Sequence, residues 1–150
     1  MMNNDIDTFS LFMVDDDDDD LELMKSAFTE IGFPSPIQCF NEGQELLNYL
    51  LKRDSQEPTL ILLDLNMPKN NGKTILNKIR QNPDFKNAVI IIYSTSNSKS
   101  DILEAYQLGC NAYVIKPNCY TEIIKIASGI KKLWFDANNV LKIPREVALV

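Results

Sequence analysis

The feature that most constrains this chain is a set of short, continuously apolar runs, each too short to be a helix. "TLILLDL" (59–65) and "AVIIIYS" (88–94) are the clearest of them. A strand with one wet face alternates apolar and polar residues, whereas a strand covered on both faces does not need to. "TFSLFMV" (8–14), "PIQCF" (36–40) and "NAYVIK" (111–116) complete a set of five.

Helical spacing fills the intervals between them. Leu21, Met24, Phe28 and Ile31 follow a 3.6-residue period, closed by Gly32 and Pro34. "NEGQELLNYLLKR" opens with the spacing of a capping box, Asn41 to Gln44. Ile75, Leu76 and Ile79 mark a third helix after the loop "NMPKNNG". Ser98 with Asp101 reads as a second capping box, opening a helix that Gly109 closes. Ile123, Ala127, Ile130 and Trp134 mark the fifth. Five buried strands alternating with five helices imply an α/β, doubly wound parallel sheet covered on both faces. In such sheets reactive groups gather beyond the carboxyl ends of the strands.

Those ends carry Asp15 and Asp16, Asp64, Ser94 and Lys116. Carboxylates packed together repel one another, so the cluster calls for a cation. Hard oxygen donors favour Mg²⁺, which keeps some waters and leaves room for a phosphate. A carboxylate nucleophile beside a metal ion and an ammonium suits phosphoryl transfer. Plainer readings exist for each residue. An aspartate ending a strand is often a cap or turn residue, a serine there is often a satisfied hydroxyl, and the lysine could be solvated.

The charge pattern narrows the function further. The net charge of −6 equals the six consecutive aspartates Asp15 to Asp20; outside them 15 acidic residues face 15 Lys and Arg. No basic stripe for nucleic acid is evident, so no nucleic-acid partner is expected. Asp17 to Asp20 fall in a loop and first helical turn, where carboxylates cap free amides and meet the helix dipole. A solvated cap is expected there rather than a docking surface. The chain has no histidine, which excludes a Ser-His-Asp triad, a Cys-His pair and a His-ligated zinc site. Histidine chemistry must come from a partner. Cys39, Cys110 and Cys119 form no CxxC pair and read as core or surface thiols of a cytoplasmic protein. No run approaches the about 18 apolar residues of a membrane span, and the N-terminus lacks a signal-peptide pattern.

Taken together, "VDD" (14–16), "LLDLNMP" (62–68) with Gly72, "YSTS" (93–96) and "LGCNAYVIKP" (108–117) resemble the receiver domain of two-component response regulators. The resemblance spans about residues 8–135. It implies a flavodoxin-like fold with strand order 2-1-3-4-5 and a signalling domain rather than an enzyme, one that takes up a phosphoryl group and removes it by autodephosphorylation. It makes Asp64 the phosphoryl acceptor, with Mg²⁺ held by Asp15, Asp16, Asp64 and the backbone carbonyl of Asn66. Asp15 would act mostly through a metal-bound water. Ser94 would hydrogen-bond the phosphoryl group and Lys116 would pair with one of its oxygens. Pro117 suggests a cis Lys116–Pro117 peptide. Tyr113 stands at the aromatic switch position, although aromatics suit strands in any case. The side chains of Asn66 and Ser96 stand where such domains tune dephosphorylation.

The expected organisation is a receiver over 1–135 and a C-terminal extension over 136–150, too short for an output domain. "LWFDANNVLKIP" resembles the end of single-domain regulators that serve phytochrome-type histidine kinases. The partner implied is such a kinase or a histidine phosphotransfer protein. Val140, Leu141, Ile143, Val147, Leu149 and Val150 are apolar enough to pack on the domain itself, or to join a homodimer through helix 4, strand 5 and helix 5. The competing function is a binding or dimerisation module of the same fold that works without phosphorylation. An aspartyl phosphatase fits less well, because "DLNMP" differs from the DxDx(T/V) loop of haloacid-dehalogenase-type enzymes.

Overall fold

The structure, a computed structural model, describes residues 9–53, 57–69 and 71–136. The apolar tail positions from Val140 to Val150 lie outside them. In chain order the elements are β1 (Ser10–Val14), α1 (Asp18–Glu30), β2 (Ile37–Phe40), α2 (Gly43–Lys52), β3 (Thr59–Leu63), α3 (Gly72–Gln81), β4 (Val89–Ser94), α4 (Lys99–Leu108), β5 (Ala112–Ile115) and α5 (Tyr120–Ile130). A short 3₁₀ turn, Pro83–Phe85, precedes β4, and a π-helical turn, Lys131–Asp136, extends α5.

The strands form one sheet in the order β2-β1-β3-β4-β5, with every neighbouring pair parallel. This is the doubly wound, flavodoxin-like arrangement. Alternate strand residues feed two separate cores because successive side chains leave a strand on opposite faces. Phe12, Val14, Ile61, Leu63, Ile90 and Ile92 pack with α2, α3 and α4 through Leu46, Leu50, Ile75, Ile79 and Ala105. Leu11, Met13, Leu60, Leu62 and Tyr93 pack with α1 and α5 through Met24, Phe28, Ile123 and Ala127. Burial on both faces is the reason β1, β3 and β4 read as unbroken apolar runs, while the edge strands β2 and β5 are only partly covered.

Register brings the carboxyl ends of the strands to one edge, with β4 running two residues past the last β3 pairing. Val14 pairs with Leu63, Leu63 with Ile92, and Ser94 with Ile115. Asp15, Asp64 and Lys116 follow their strands directly and Ser94 ends its own, and the ladder continues through Asp64 N–H to the Val14 carbonyl and Lys116 N–H to the Ser94 carbonyl.

Helix ends show where local signals prevail and where they do not. Asp17 caps α1, its carboxylate accepting from the amides of Asp19 and Asp20. Such a cap contributes about 1 kcal/mol. Ser98 caps α4 through the Asp101 amide, and Gly109 ends that helix at φ 108°, a left-handed conformation suited to glycine. The capping box expected from Asn41 to Gln44 does not form. Glu42 holds the cap position without a side-chain bond, while Asn41 donates its amide to the Asp18 carboxylate. The helix starts at Gly43, one residue later than the spacing implies, which leaves Asn41 ahead of the cap and its amide turned to Asp18. At the other end, Trp134 joins the α1–α5 core from the π-helical turn, where it and Phe135 both reach Phe9. Among the described residues no helix is long and apolar enough to cross a membrane. Cys39, Cys110 and Cys119 are free thiols, with Cys110 buried and Cys119 exposed.

Candidate functional site

The strand ends bring the expected residues together on one edge. Asp15 follows β1 directly and is fully buried, while the next residue, Asp16, faces out. Asp15 is fixed by its own loop, with one carboxylate oxygen accepting the Asp17 amide at 3.0 Å. Asp64, just after β3, is 5% exposed and accepts the Asn66 amide at 3.3 Å. Gly72 sets the course of that loop. Its N–H bonds the Leu65 carbonyl at 3.0 Å, and a Cβ there would overlap the Asp64 carbonyl oxygen and crowd the Leu65 Cα. Only glycine permits this approach of α3 to the Asp64 backbone.

Ser94 ends β4 fully buried, its Oγ accepting from the Ser96 amide at 3.2 Å and the Asn66 side-chain amide at 3.4 Å. Lys116 reaches back from β5. Its Nζ lies 2.6 Å from Asp15 Oδ2, 2.7 Å from Asp20 Oδ2 and 3.7 Å from Asp64 Oδ2. Tyr93 closes the pocket behind it, with Nζ 5.8 Å from the ring centroid. The Lys116–Pro117 peptide, expected to be cis, is trans, as are all peptides among the described residues. Trans is the favoured isomer even before proline, and in it the ammonium already reaches two carboxylates.

The electrostatics are those of a site with surplus negative charge. Burial pushes the Asp15 carboxyl up to about 7, with the Lys116 hydrogen bond and the Asp17 amide opposing, and the charge of Asp64 adding to the rise. Burial also raises Asp64, against the pull of Lys116 and the Asn66 amide. For Lys116 burial alone would lower the ammonium, but its bonds to Asp15 and Asp20 outweigh this and hold it above the ordinary lysine range. Burial, with the nearby charges of Asp20 and Asp15, pushes the Tyr93 hydroxyl up to about 12, so it stays neutral.

These residues fit a divalent cation. Asp15, Asp16 and Asp64 each offer a carboxylate oxygen, all within 4.8 Å of one another. One lysine does not balance three carboxylates and Asp20. An all-oxygen donor set with excess charge suits a hard ion of the Mg²⁺ or Mn²⁺ type. The Asn66 carbonyl belongs to the loop that follows Asp64. Next to it opens a groove of about 320 Å³, bordered by Asp16, Asp18, Asn41, Met67 and Lys69 among others.

A second layer lies behind Ser94. The Tyr113 hydroxyl donates to the Ser96 carbonyl at 2.8 Å. Ser96 Oγ donates to Asp101 Oδ2 at 2.6 Å, and Lys73 Nζ bridges Asp101 and Glu104 at 2.9 and 2.7 Å. The Ser96 hydrogen bond, then Lys73, holds the Asp101 carboxyl below its usual range. Sequence reading missed two parts of this arrangement. The spacing puts Asp101 in a capping box, but its carboxylate turns to Ser96 and Lys73. The sequence groups Asp20 with solvated capping acids, but it meets Lys116. Its position on the first turn of α1 was the available signal, since helical side chains lean toward the N-terminus and hence over the strand ends.

A doubly wound sheet with carboxylates, a buried hydroxyl and a lysine at its carboxyl edge defines a signalling receiver. The response regulator receiver domain family matches residues 11–128, and the chain belongs to that family. It is 28% identical over 130 residues to the response regulator Rcp1 of Synechocystis sp., covering 84% of this chain and 88% of Rcp1. It is 29% identical over 136 residues to the probable methanogenesis regulatory protein FilR2 of Methanothrix harundinacea, covering 89% and 88%. Among solved structures it is similar to the phosphorylated cyanobacterial phytochrome response regulator RcpA (TM-score 0.79, 30% identity, 87% of this chain and 96% of that one). It is likewise similar to the Mn²⁺-bound form of Rcp1 (TM-score 0.77, 27% identity, 87% and 97%). Receiver domains are signalling modules of two-component systems, not enzymes in the ordinary sense.

Proposed function

We propose that this receiver accepts a phosphoryl group from a histidine kinase on Asp64, in a Mg²⁺-dependent reaction, and signals through the surface that changes as a result. The observation that carries this reading is the environment of Asp64. It is a nearly buried carboxylate with Lys116 at 3.7 Å and the oxygens of Asp15 and Asp16 within 4.8 Å. An Asp64 oxygen attacks phosphorus, the O–P bond forms, and the bond to the donor's imidazole nitrogen breaks. When bound, Mg²⁺ supplies charge neutralisation at the transferring group. Asp15, Asp16, Asp64 and the Asn66 carbonyl are the residues to hold it.

Lys116 offers its ammonium to one phosphoryl oxygen and Ser94 its hydroxyl to another. Ser94 at present only accepts, from Asn66 and Ser96, so its O–H is available to donate to the new acceptor. Tyr113, packed against the α3–α4 core with its hydroxyl on the Ser96 carbonyl, is the aromatic residue positioned to follow a displacement of that loop. The side chains of Asn66, next to the acceptor in sequence, and of Ser96, whose hydroxyl now bonds Asp101, are the ones to tune the water attack that later removes the group.

The donor class is a phytochrome-type kinase or a histidine phosphotransfer protein. Support comes from relatives described as a phytochrome response regulator and as a regulator in red light signalling of R. palustris. The working unit is the receiver over 1–135 followed by the 136–150 extension. The matches cover 88% of Rcp1 and 88% of FilR2, so the part shared with these regulators is most of their length. Leu103 and Tyr106 of α4 and Ile115 of β5 are exposed apolar residues, which supports a homodimer on the α4–β5–α5 face. A cytoplasmic setting goes with the free thiols and the kinase partner.

The test is incubation with Mg²⁺ and acetyl phosphate, then intact mass beside Asp64→Asn. A phosphoryl adduct on the wild type alone is the expected result. No adduct together with no fluoroberyllate binding would replace this reading with the phosphorylation-independent binding module.

A further inference from the structure

We infer that Asp20 is a positioning residue that holds Lys116 away from the acceptor and so sets how readily the site takes up a phosphoryl group. This rests on the assignment of Asp64 as acceptor.

An ammonium has three donors in a tetrahedral arrangement. Lys116 directs two at Asp15 and Asp20, at 2.6 and 2.7 Å, and stands 3.7 Å from Asp64 Oδ2, beyond hydrogen-bonding distance. Once Asp64 carries a phosphoryl group, the lysine must close that gap. Asp15 belongs to the same tight cluster as Asp64, with oxygens within 4.8 Å, and Asp20 is not part of that cluster. Lys116 can thus approach a group on Asp64 while staying near Asp15, but only by stretching its contact with Asp20. The two carboxylates also differ in anchoring. Asp15 is buried and tied to the Asp17 amide, whereas the Asp20 side chain is 29% exposed. Capping of α1 is performed by Asp17, so the carboxylate of Asp20 is left to the lysine. Asp20 is a competitor for the ammonium, stationed one helical turn beyond the metal-type carboxylates.

The experiment is a fluoroberyllate titration of the full chain at saturating Mg²⁺, comparing wild type with Asp20→Asn, Asp20→Glu and Asp19→Asn. Asp19 lies on the same helical turn, so Asp19→Asn removes the same charge without touching the Lys116 pair. Half-saturation should fall about three- to tenfold in Asp20→Asn, the scale of one partly exposed ion pair. Asp20→Glu should stay near wild type, and Asp19→Asn should move by less than about twofold. In the ligand-free protein the Lys116 Nζ resonance should shift in Asp20→Asn and not in Asp19→Asn. Should Asp20→Asn fold poorly, Asp20→Ser offers the same loss with a residue suited to a first helical turn.

Unchanged or weaker binding in Asp20→Asn, or an equal gain in Asp19→Asn, overturns the inference while the acceptor reading stands. A wild type that binds no fluoroberyllate overturns the acceptor reading itself.

Discussion

The Tyr113 hydroxyl donates to the backbone carbonyl of Ser96 at 2.8 Å, joining β5 to the loop that follows β4. One end of that loop is Ser94, whose hydroxyl faces the acidic pocket, and the other is the cap of α4. Tyr113→Phe should lower stability by about 0.5–1.5 kcal/mol, the net value of one such bond, while leaving the Asp64 adduct intact. Urea denaturation beside intact-mass measurement separates the two effects. Loss of the adduct would place Tyr113 in the chemistry rather than behind it.

Gly72→Ala should act on Asp64 from the main chain. The added methyl overlaps the Asp64 carbonyl and forces the loop outward, at a cost of about 1–3 kcal/mol. Mg²⁺ affinity, followed by calorimetry, should fall with stability. Wild-type affinity in a destabilised Gly72→Ala would show that the loop yields elsewhere.

The raised Asp15 carboxyl makes stability pH-dependent in a defined direction. Its folded value near 7 exceeds the ordinary 3.8, so between those values the folded chain holds a proton that the unfolded chain has released. Without metal, the contribution of Asp15 therefore favours folding at low pH and is lost as pH rises from about 4 to about 7. Asp64 acts in the same direction. Mg²⁺ requires the carboxylate, so its affinity should climb over this window and level off above it. Denaturation at stepped pH in EDTA and in Mg²⁺ should give opposite trends, and Asp15→Asn should flatten the EDTA series.

Lys73 ties α3 to α4 through Asp101 and Glu104, and Asp101 holds the Ser96 hydroxyl. Because these groups lie at the surface, Lys73→Ala should change the denaturation midpoint little. Amide exchange from Ser96 to Asp101 should nonetheless quicken, and the fluoroberyllate-induced shifts in α4 should shrink. Unchanged exchange there would remove Lys73 from the path between pocket and helix.

Asp64→Asn should abolish the phosphoryl adduct and also make the metal-free protein more stable near neutral pH, since it removes a carboxylate whose charged form burial penalises. Equal or lower stability in the variant, measured in EDTA, would mean that Lys116 and the Asn66 amide fully offset that penalty.

What the sequence determined by itself was the sheet and the main membership of its edge. Runs such as "TLILLDL", short and bounded by loop residues, suit strands covered on both sides, and the strand that buries Leu62 and Leu63 delivers Asp64 just past its end. Asp15, Ser94 and Lys116 follow by the same rule. Tertiary structure alone decided which partners those residues take. Asn41 leaves a local cap for Asp18, Asp101 leaves its box for Ser96 and Lys73, and Asp20 meets a lysine 96 positions away. Strand burial is a property of a few consecutive residues and is therefore written locally. A polar side chain takes the strongest partner within reach, and reach across a fold is set by register and helix placement, which no short stretch of sequence contains.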